Sequence, residues 1–241
     1  MSMNIYSGPY HFLSSVLFPD GHQYSYDKDI EVSYQDATCL SISHIGTDLI
    51  NGIPPQEFDL TMSWLGNALY PIKIDMDTAG ELKRIVNIDE VRKRYSSEGV
   101  HIMAYYEQSP LIVRYVTDCL KRLRDEKQLM QHLHRSNLYQ LIALCMDLPH
   151  RSYQLVDFPF TEDTLALHFS TEGENETELL LTVHDIQTTR QLLSHEGRAY
   201  VHKSGPSSFD HIQLLLTVEV VNEGYYTRKL ELKRIENYNE R

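Results

Sequence analysis

YPIKIDMDTAGELKRIVNIDEVRKRYSSEG, residues 70–99, carries the signals of strand, tight turn, strand and capped helix in one run. Ile72, Ile74 and Met76 alternate with Lys73 and Asp75, which is the period of a strand with one buried face. Asp77-Thr78-Ala79-Gly80 supplies the turn, because Asp bonds its own backbone at the first position and Gly accepts positive φ at the last. Leu82, Arg84 and Val86 bring the chain back, so residues 70–86 are predicted to form a β-hairpin. Asn87 then reads as a helix N-cap, boxed by Glu90, with Val86 and Val91 spaced as a hydrophobic staple. The helix predicted over 88–98 stops where Gly99 would give a left-handed C-cap. A hairpin and helix of this size cannot bury enough surface alone, so the rest of the chain must cover them.

Working outward, the segment before this unit reads as strands. Tyr24 and Tyr26, then Ile30, Val32 and Tyr34, alternate with polar residues on either side of Asp27-Lys28-Asp29, a candidate hairpin turn. Leu40 and Ile42 continue the alternation to the Asn51-Gly52 turn. From Pro55 the period lengthens, and Phe58, Met62, Leu65 and Leu69 fall on one helical stripe with Trp64 at its edge. After Gly99, residues 100–108 fit strand or helix, and the pairs Tyr105-Tyr106 and Tyr225-Tyr226 would place one ring on each face of a strand. Ser109-Pro110 starts a helix, and further helices bury Leu129 and Leu133, then Leu138, Leu141 and Ile142, so helix is expected over 110–147. Past Pro149 the pattern returns to β. Leu165, Leu167 and Phe169 alternate, Leu179 to Val183 is a continuous apolar run suited to a central strand, and Ala199 to His202 is a short strand. Ile212 to Val221 pairs with Tyr225 to Ile235 across Asn222-Glu223-Gly224. The expected class is α+β, with a mixed part over 1–149 and an antiparallel β-rich part over 150–241.

The 241 residues are long enough for a substantial core, as one large domain or two small ones. No apolar run approaches the roughly 18 residues of a membrane span, and MSMNIYSGPYHFLSSVLFPDG lacks the basic start of a signal peptide. Cys39, Cys119 and Cys145 are odd in number and lie in apolar surroundings, so buried free thiols in a reducing cytoplasm are expected. The net charge of −12 disfavours nucleic acid, whose phosphates require a basic footprint. Residues 1–50 hold net −5 and residues 151–200 net −6, leaving only −1 elsewhere.

Short catalytic signatures are missing. There is no G-x-S-x-G elbow, Walker loop, G-x-G-x-x-G or H-E-x-x-H, and no C-x-x-C. Asp75, Asp77 and Gly80 match the opening of a calcium loop, but Val86 stands where a bidentate Glu is needed. His132 and His134 are two apart on a predicted helix and diverge, while His184-Asp185 and His195-Glu196 project to opposite faces of a strand. No cofactor and no metal are therefore expected.

What remains is a pattern of acids and tyrosines. The expectation is a cytoplasmic, non-enzymatic adaptor or inhibitor that binds a basic protein surface. Its contacts would be Asp27, Asp29 and Glu31, then Glu172, Glu174, Glu176 and Glu178, with Tyr225 and Tyr226 supplying contact area. Two alternatives stay open: a small-molecule-binding β-rich module, or a hydrolase without a short motif. The plain alternative for the acids is solubility.

Overall fold

The structure, a computed structural model, describes residues 4–35, 38–77, 82–146, 152–205 and 208–236. In chain order, β1 (Asn4–Ile5), β2 (Gly8–Leu17), β3 (Gln23–Tyr34) and β4 (Cys39–Ile50) lead to α1 (Glu57–Asn67). Then come β5 (Ile72–Met76), β6 (Leu82–Ile85) and four helices, α2 (Ile88–Tyr105), α3 (Pro110–Leu123), α4 (Glu126–Arg135) and α5 (Asn137–Met146). The chain closes with β7 (Ser152–Val156), β8 (Thr164–Glu174), β9 (Glu178–Gln187), β10 (Leu192–Gly205), β11 (Ser208–Val220) and β12 (Gly224–Arg234). The class is α+β with strand predominant.

All the long strands lie in one antiparallel sheet of order β6-β5-β4-β3-β2-β12-β11-β10-β9-β8-β7, with β1 added in parallel beside β11. The ladder that joins its two meanders is β2–β12, eight pairs from Leu17↔Thr227 to Tyr10↔Arg234. One core cluster runs through both sides of it, from Ile30 and Ile74 to Leu167 and Leu214. The sheet curls. Phe160, between β7 and β8, meets Tyr226 of β12 with ring centroids 5.1 Å apart, although four strand spacings along the sheet come to about 19 Å. Helix α5 lies inside the curl against β1, β7, β11 and β12. A smaller cluster, Leu65, Ile102, Ile112 and Val116, joins α1, α2 and α3.

Residues 72–105 form the expected strand, strand and helix, with three differences; the predicted turn at 78–80 lies outside the described residues. Helix α2 runs through Gly99 to Tyr105. Gly99 is buried, and a Cβ there would come 2.9 Å from Leu120 Cδ2, so this glycine admits α3 rather than ending α2. Asn87 does precede the helix, but its side chain makes no cap bond. Asn87 Oδ1 accepts from Lys73 N–H at 2.9 Å, and its Nδ2 donates to the Pro71 carbonyl at 3.0 Å, so it ties the helix start to β5. Val86, the predicted staple, is exposed.

Elsewhere, Asp27-Lys28-Asp29 is not a turn. It lies in the middle of β3, which pairs with β2 along its whole length from Gln23 to Val32. Helix α1 buries Thr61 and Leu65 and leaves Phe58 and Met62 exposed, a face rotated from the predicted stripe. Residues 100–105 are helix, so Tyr105 and Tyr106 are not a strand pair. β9 is not uniformly buried: Leu179, Leu181 and Val183 face the core while Leu180 is half-exposed. β10 is far longer than the predicted four residues, because residues 193–196 are exposed on both faces and give no apolar alternation. Pro149 lies outside the described residues.

Gly197 shows how tightly the curl is packed. A Cβ there would approach Val183 Cγ2 to 2.7 Å and Leu216 Cδ1 to 2.8 Å, one from each flanking strand. Gly197→Ala is expected to destabilise the protein by about 1–3 kcal/mol through overpacking. Urea unfolding checks this, and Val183→Ala in the same background should recover part of the loss.

Candidate functional site

A connected group of polar side chains is buried where β3, β4 and α1 meet. A bulge makes it. Asp29 pairs with Ile45 and Asp27 with Leu49, so Gly46, Thr47 and Asp48 stand opposite Lys28 alone. In a regular strand His44 and Asp48 would be about 13 Å apart. The bulge, with Gly46 at φ +77°, brings His44 Nε2 to 3.0 Å from Asp48 Oδ1. Asp48 Oδ2 accepts from the Ser63 hydroxyl and from Asn67 Nδ2 at 2.9 Å. Lys28 Nζ lies 3.9 Å from Asp48 Oδ1, donates to Asn67 Oδ1 at 2.8 Å and stands 4.6 Å from the Tyr70 ring centroid.

Burial sets the electrostatics. It pushes the Lys28 ammonium down to about 8, with Asp48 acting in the opposite direction. Burial alone would raise Asp48, but the His44 bond, the Lys28 charge and the bonds from Ser63 and Asn67 hold it at about 2. Burial also pushes the Tyr70 hydroxyl up to about 12.

Serine, histidine and aspartate thus meet in one place, in the wrong order for nucleophilic catalysis. A catalytic triad needs the histidine between carboxylate and hydroxyl, to take the proton. Here the carboxylate is in the middle, bonded to both His44 and Ser63. The arrangement neutralises and orders buried groups; it does not activate Ser63. Among the described residues no group of three or more His, Cys, Asp or Glu is placed to hold a metal ion, and no helix is long and apolar enough to cross a membrane.

The predicted contact residues lie mainly on the opposite, outer face of the sheet. Register aligns Leu49, Asp27, Leu13, Glu231, Gln213, Tyr200 and Leu180 across β4, β3, β2, β12, β11, β10 and β9. Asp29 and Glu31 follow Asp27 on this face, and Glu178 lies two residues from Leu180. The two acidic groups therefore share a face without touching. Four strands separate β3 from β9, about 24 Å along the sheet, beyond the screening length of roughly 8–10 Å. Glu231, between them, was not among the predicted contacts.

Most of these acids have partners in the chain. Asp27 and Asp29 face the two ring nitrogens of His11 at 3.3 and 2.8 Å. Glu172 accepts from Thr182 Oγ1 at 2.8 Å, Glu174 from Lys203 Nζ at 2.6 Å, and Glu178 from the Tyr200 hydroxyl at 3.0 Å. Glu31 and Glu176 are exposed without such a partner among the described residues. Tyr225 is 57% exposed and pairs with Glu219 on the outer face, whereas Tyr226 is 5% exposed and packs inward on Phe18 and Phe160. An open hollow of about 400 Å³ is lined by Gly173, Glu174, Asn175, Glu178, Leu180 and Tyr200.

A second surface escaped the sequence reading. On the outer side of α1–α3, Trp64 lies against His101 and edge-on to Tyr105, Phe58 lies edge-on to Tyr115, and Leu111 is 71% exposed. The signal lies in the aromatics of α1, but in sequence Phe58 reads as part of the buried stripe and Trp64 as its edge. Comparison with family models, curated proteins and solved structures finds no match to this chain.

The buried network makes a pH prediction. Lys28 has a folded pKa of about 8 against 10.5 unfolded, so above pH 8 the unfolded chain holds the extra proton and stability rises with pH. The gain from this residue is of the order of 3 kcal/mol if the whole shift is realised. Deprotonation of tyrosines in the unfolded chain opposes it from about pH 10. Urea unfolding between pH 7.5 and 9.5 should show this rise in the wild type and lose it in Lys28→Met. Asp48→Ala, which leaves Lys28 buried and unpaired, is expected to cost about 3–5 kcal/mol at pH 7.

Proposed function

We propose that the protein is a non-enzymatic binding protein, an adaptor or inhibitor, that engages a basic protein surface through the outer face of its sheet. One observation carries this reading: Asp27, Glu231 and Glu178 lie on a single face that also presents Tyr200 and Tyr225. Acids spread over such a width would steer a cationic partner, and half-buried tyrosines would add contact area. Glu178 is bonded to a neutral hydroxyl, whereas Glu231 is offset by Lys229 at 2.7 Å and Glu174 by Lys203 at 2.6 Å, so the steering rests mainly on the acids without a Lys or Arg partner. The cytoplasm is the proposed compartment, in keeping with the unbridged thiols of Cys39 and Cys119.

The aromatic ledge on α1–α3 favours a second reading, in which apolar contact holds the partner. Salt separates the two. Capture from lysate with identification by mass spectrometry should give a basic protein, whose association rate falls at least about tenfold from low to high salt. Glu31→Lys with Glu176→Lys should slow that association without breaking an internal contact. Capture insensitive to salt and to these changes, but abolished by Trp64→Ala with Leu111→Ser, would overturn the acidic-face reading in favour of the ledge.

A further inference from the structure

The inner face of the sheet holds a second buried cation, Arg228, and this one lacks a bonded carboxylate among the described residues. Register places Val16, Arg228, Leu216 and Gly197 side by side on β2, β12, β11 and β10, so Arg228 interrupts an otherwise apolar row. It is 8% exposed. One terminal nitrogen donates to Ser14 Oγ at 2.9 Å, and Nε–H has no acceptor. No carboxylate pairs with it among the described residues. Asp157 acts on it only at a distance, being bonded to Arg135 at 3.1 Å and to the Glu162 amide at 2.9 Å. Tyr153, from β7 across the curl, is 6% exposed and within electrostatic range of Arg228, and its hydroxyl has no partner. Burial correspondingly lowers the guanidinium below its ordinary value.

The hydrogen-bonding inventory is one-sided. Arg228 Nε–H, the Tyr153 hydroxyl and the Ser14 hydroxyl are all free to donate, since Ser14 uses a lone pair on Arg228. Donors within electrostatic range of one positive charge are complemented by an anion that only accepts. Lys28, on β3, shows how this chain treats a buried cation otherwise: it is given Asp48. A planar guanidinium edge fits a carboxylate better than a spherical ion. The neighbouring Val16, Leu216, Tyr226 and Leu230 suit an apolar body attached to it and disfavour a strongly hydrated inorganic anion.

We propose that Arg228, Tyr153 and Ser14 form a binding site, inside the curl of the sheet, for the carboxylate of a small apolar acid. The site lies on the inner face and does not depend on the partner-binding reading. Its test is calorimetry and thermal unfolding of the full chain with acetate, butyrate, octanoate, octanol, chloride and phosphate at equal ionic strength. One carboxylate should bind per chain and raise the melting temperature, while octanol does neither. Arg228→Met should weaken binding by about tenfold or more, and Tyr153→Phe by several-fold. Without ligand, Arg228→Met should melt no lower than wild type, because an apolar side chain of similar size replaces an uncompensated charge. Should Arg228→Met fail to fold, Tyr153→Phe decides, and unchanged carboxylate affinity in it overturns the site. A response to phosphate or chloride alone overturns the apolar-acid assignment, and a wild type indifferent to every anion overturns the proposal.

Discussion

Eight residue pairs between β2 and β12 bear the rest of the structure. Without them each meander would end in an open edge, with unpaired N–H and C=O groups facing water along strands of ten and eleven residues. With them, a single curled sheet has an inner face that α5 can cover and an outer face that no described helix covers. Both buried cations of the inner face lie near this ladder, Arg228 on β12 and Lys28 on β3. Their different treatment is the chemically informative feature. A bulge on β4 delivers Asp48 to Lys28, whereas Arg228 receives only a hydroxyl. Removing one partner of a buried ion pair is costly, so an unaccompanied guanidinium calls for an explanation that the chain's own residues do not give.

Alternation made most strands legible, because it records which face is buried irrespective of the partner strand. It failed where a charge faces inward. Lys28 breaks the apolar pattern of β3, so three strand residues read as a turn in the sequence. Arg228 gave no signal at all, since a charged residue on a strand reads as outward-facing. Gly99 and Gly46 illustrate a second limit. Their sequence neighbours do not tell that one makes room for Leu120 on another helix and the other opens a bulge. The pairing of β2 with β12, more than two hundred residues apart, was likewise unreadable, because nothing local encodes it.

The candidate site was legible in composition and not in geometry. Asp27 and Glu178 share a face, but four strands lie between them, and the bridging residues Glu231 and Tyr200 gain their meaning only from register. Tyr225 and Tyr226 divided between the two faces as adjacent strand residues must. The buried Ser63–Asp48–His44 group has the residue types of hydrolytic chemistry, yet the order of its bonds assigns it to stability. Residue types narrowed the possibilities; which atom lies between which decided among them.

The account holds that the β2–β12 ladder makes one cooperative unit of strands drawn from both ends of the chain. Native-state hydrogen exchange of the amides of His11, Leu13, Lys229 and Glu231, which register places in the hydrogen-bonded pairs of the β2–β12 ladder, tests this most directly. The account predicts that they exchange only through global unfolding, with the same protection as the β11–β12 amides and the same dependence on denaturant. Exchange of the β2 amides through a separate opening of markedly lower free energy, with β11–β12 still protected, would contradict it.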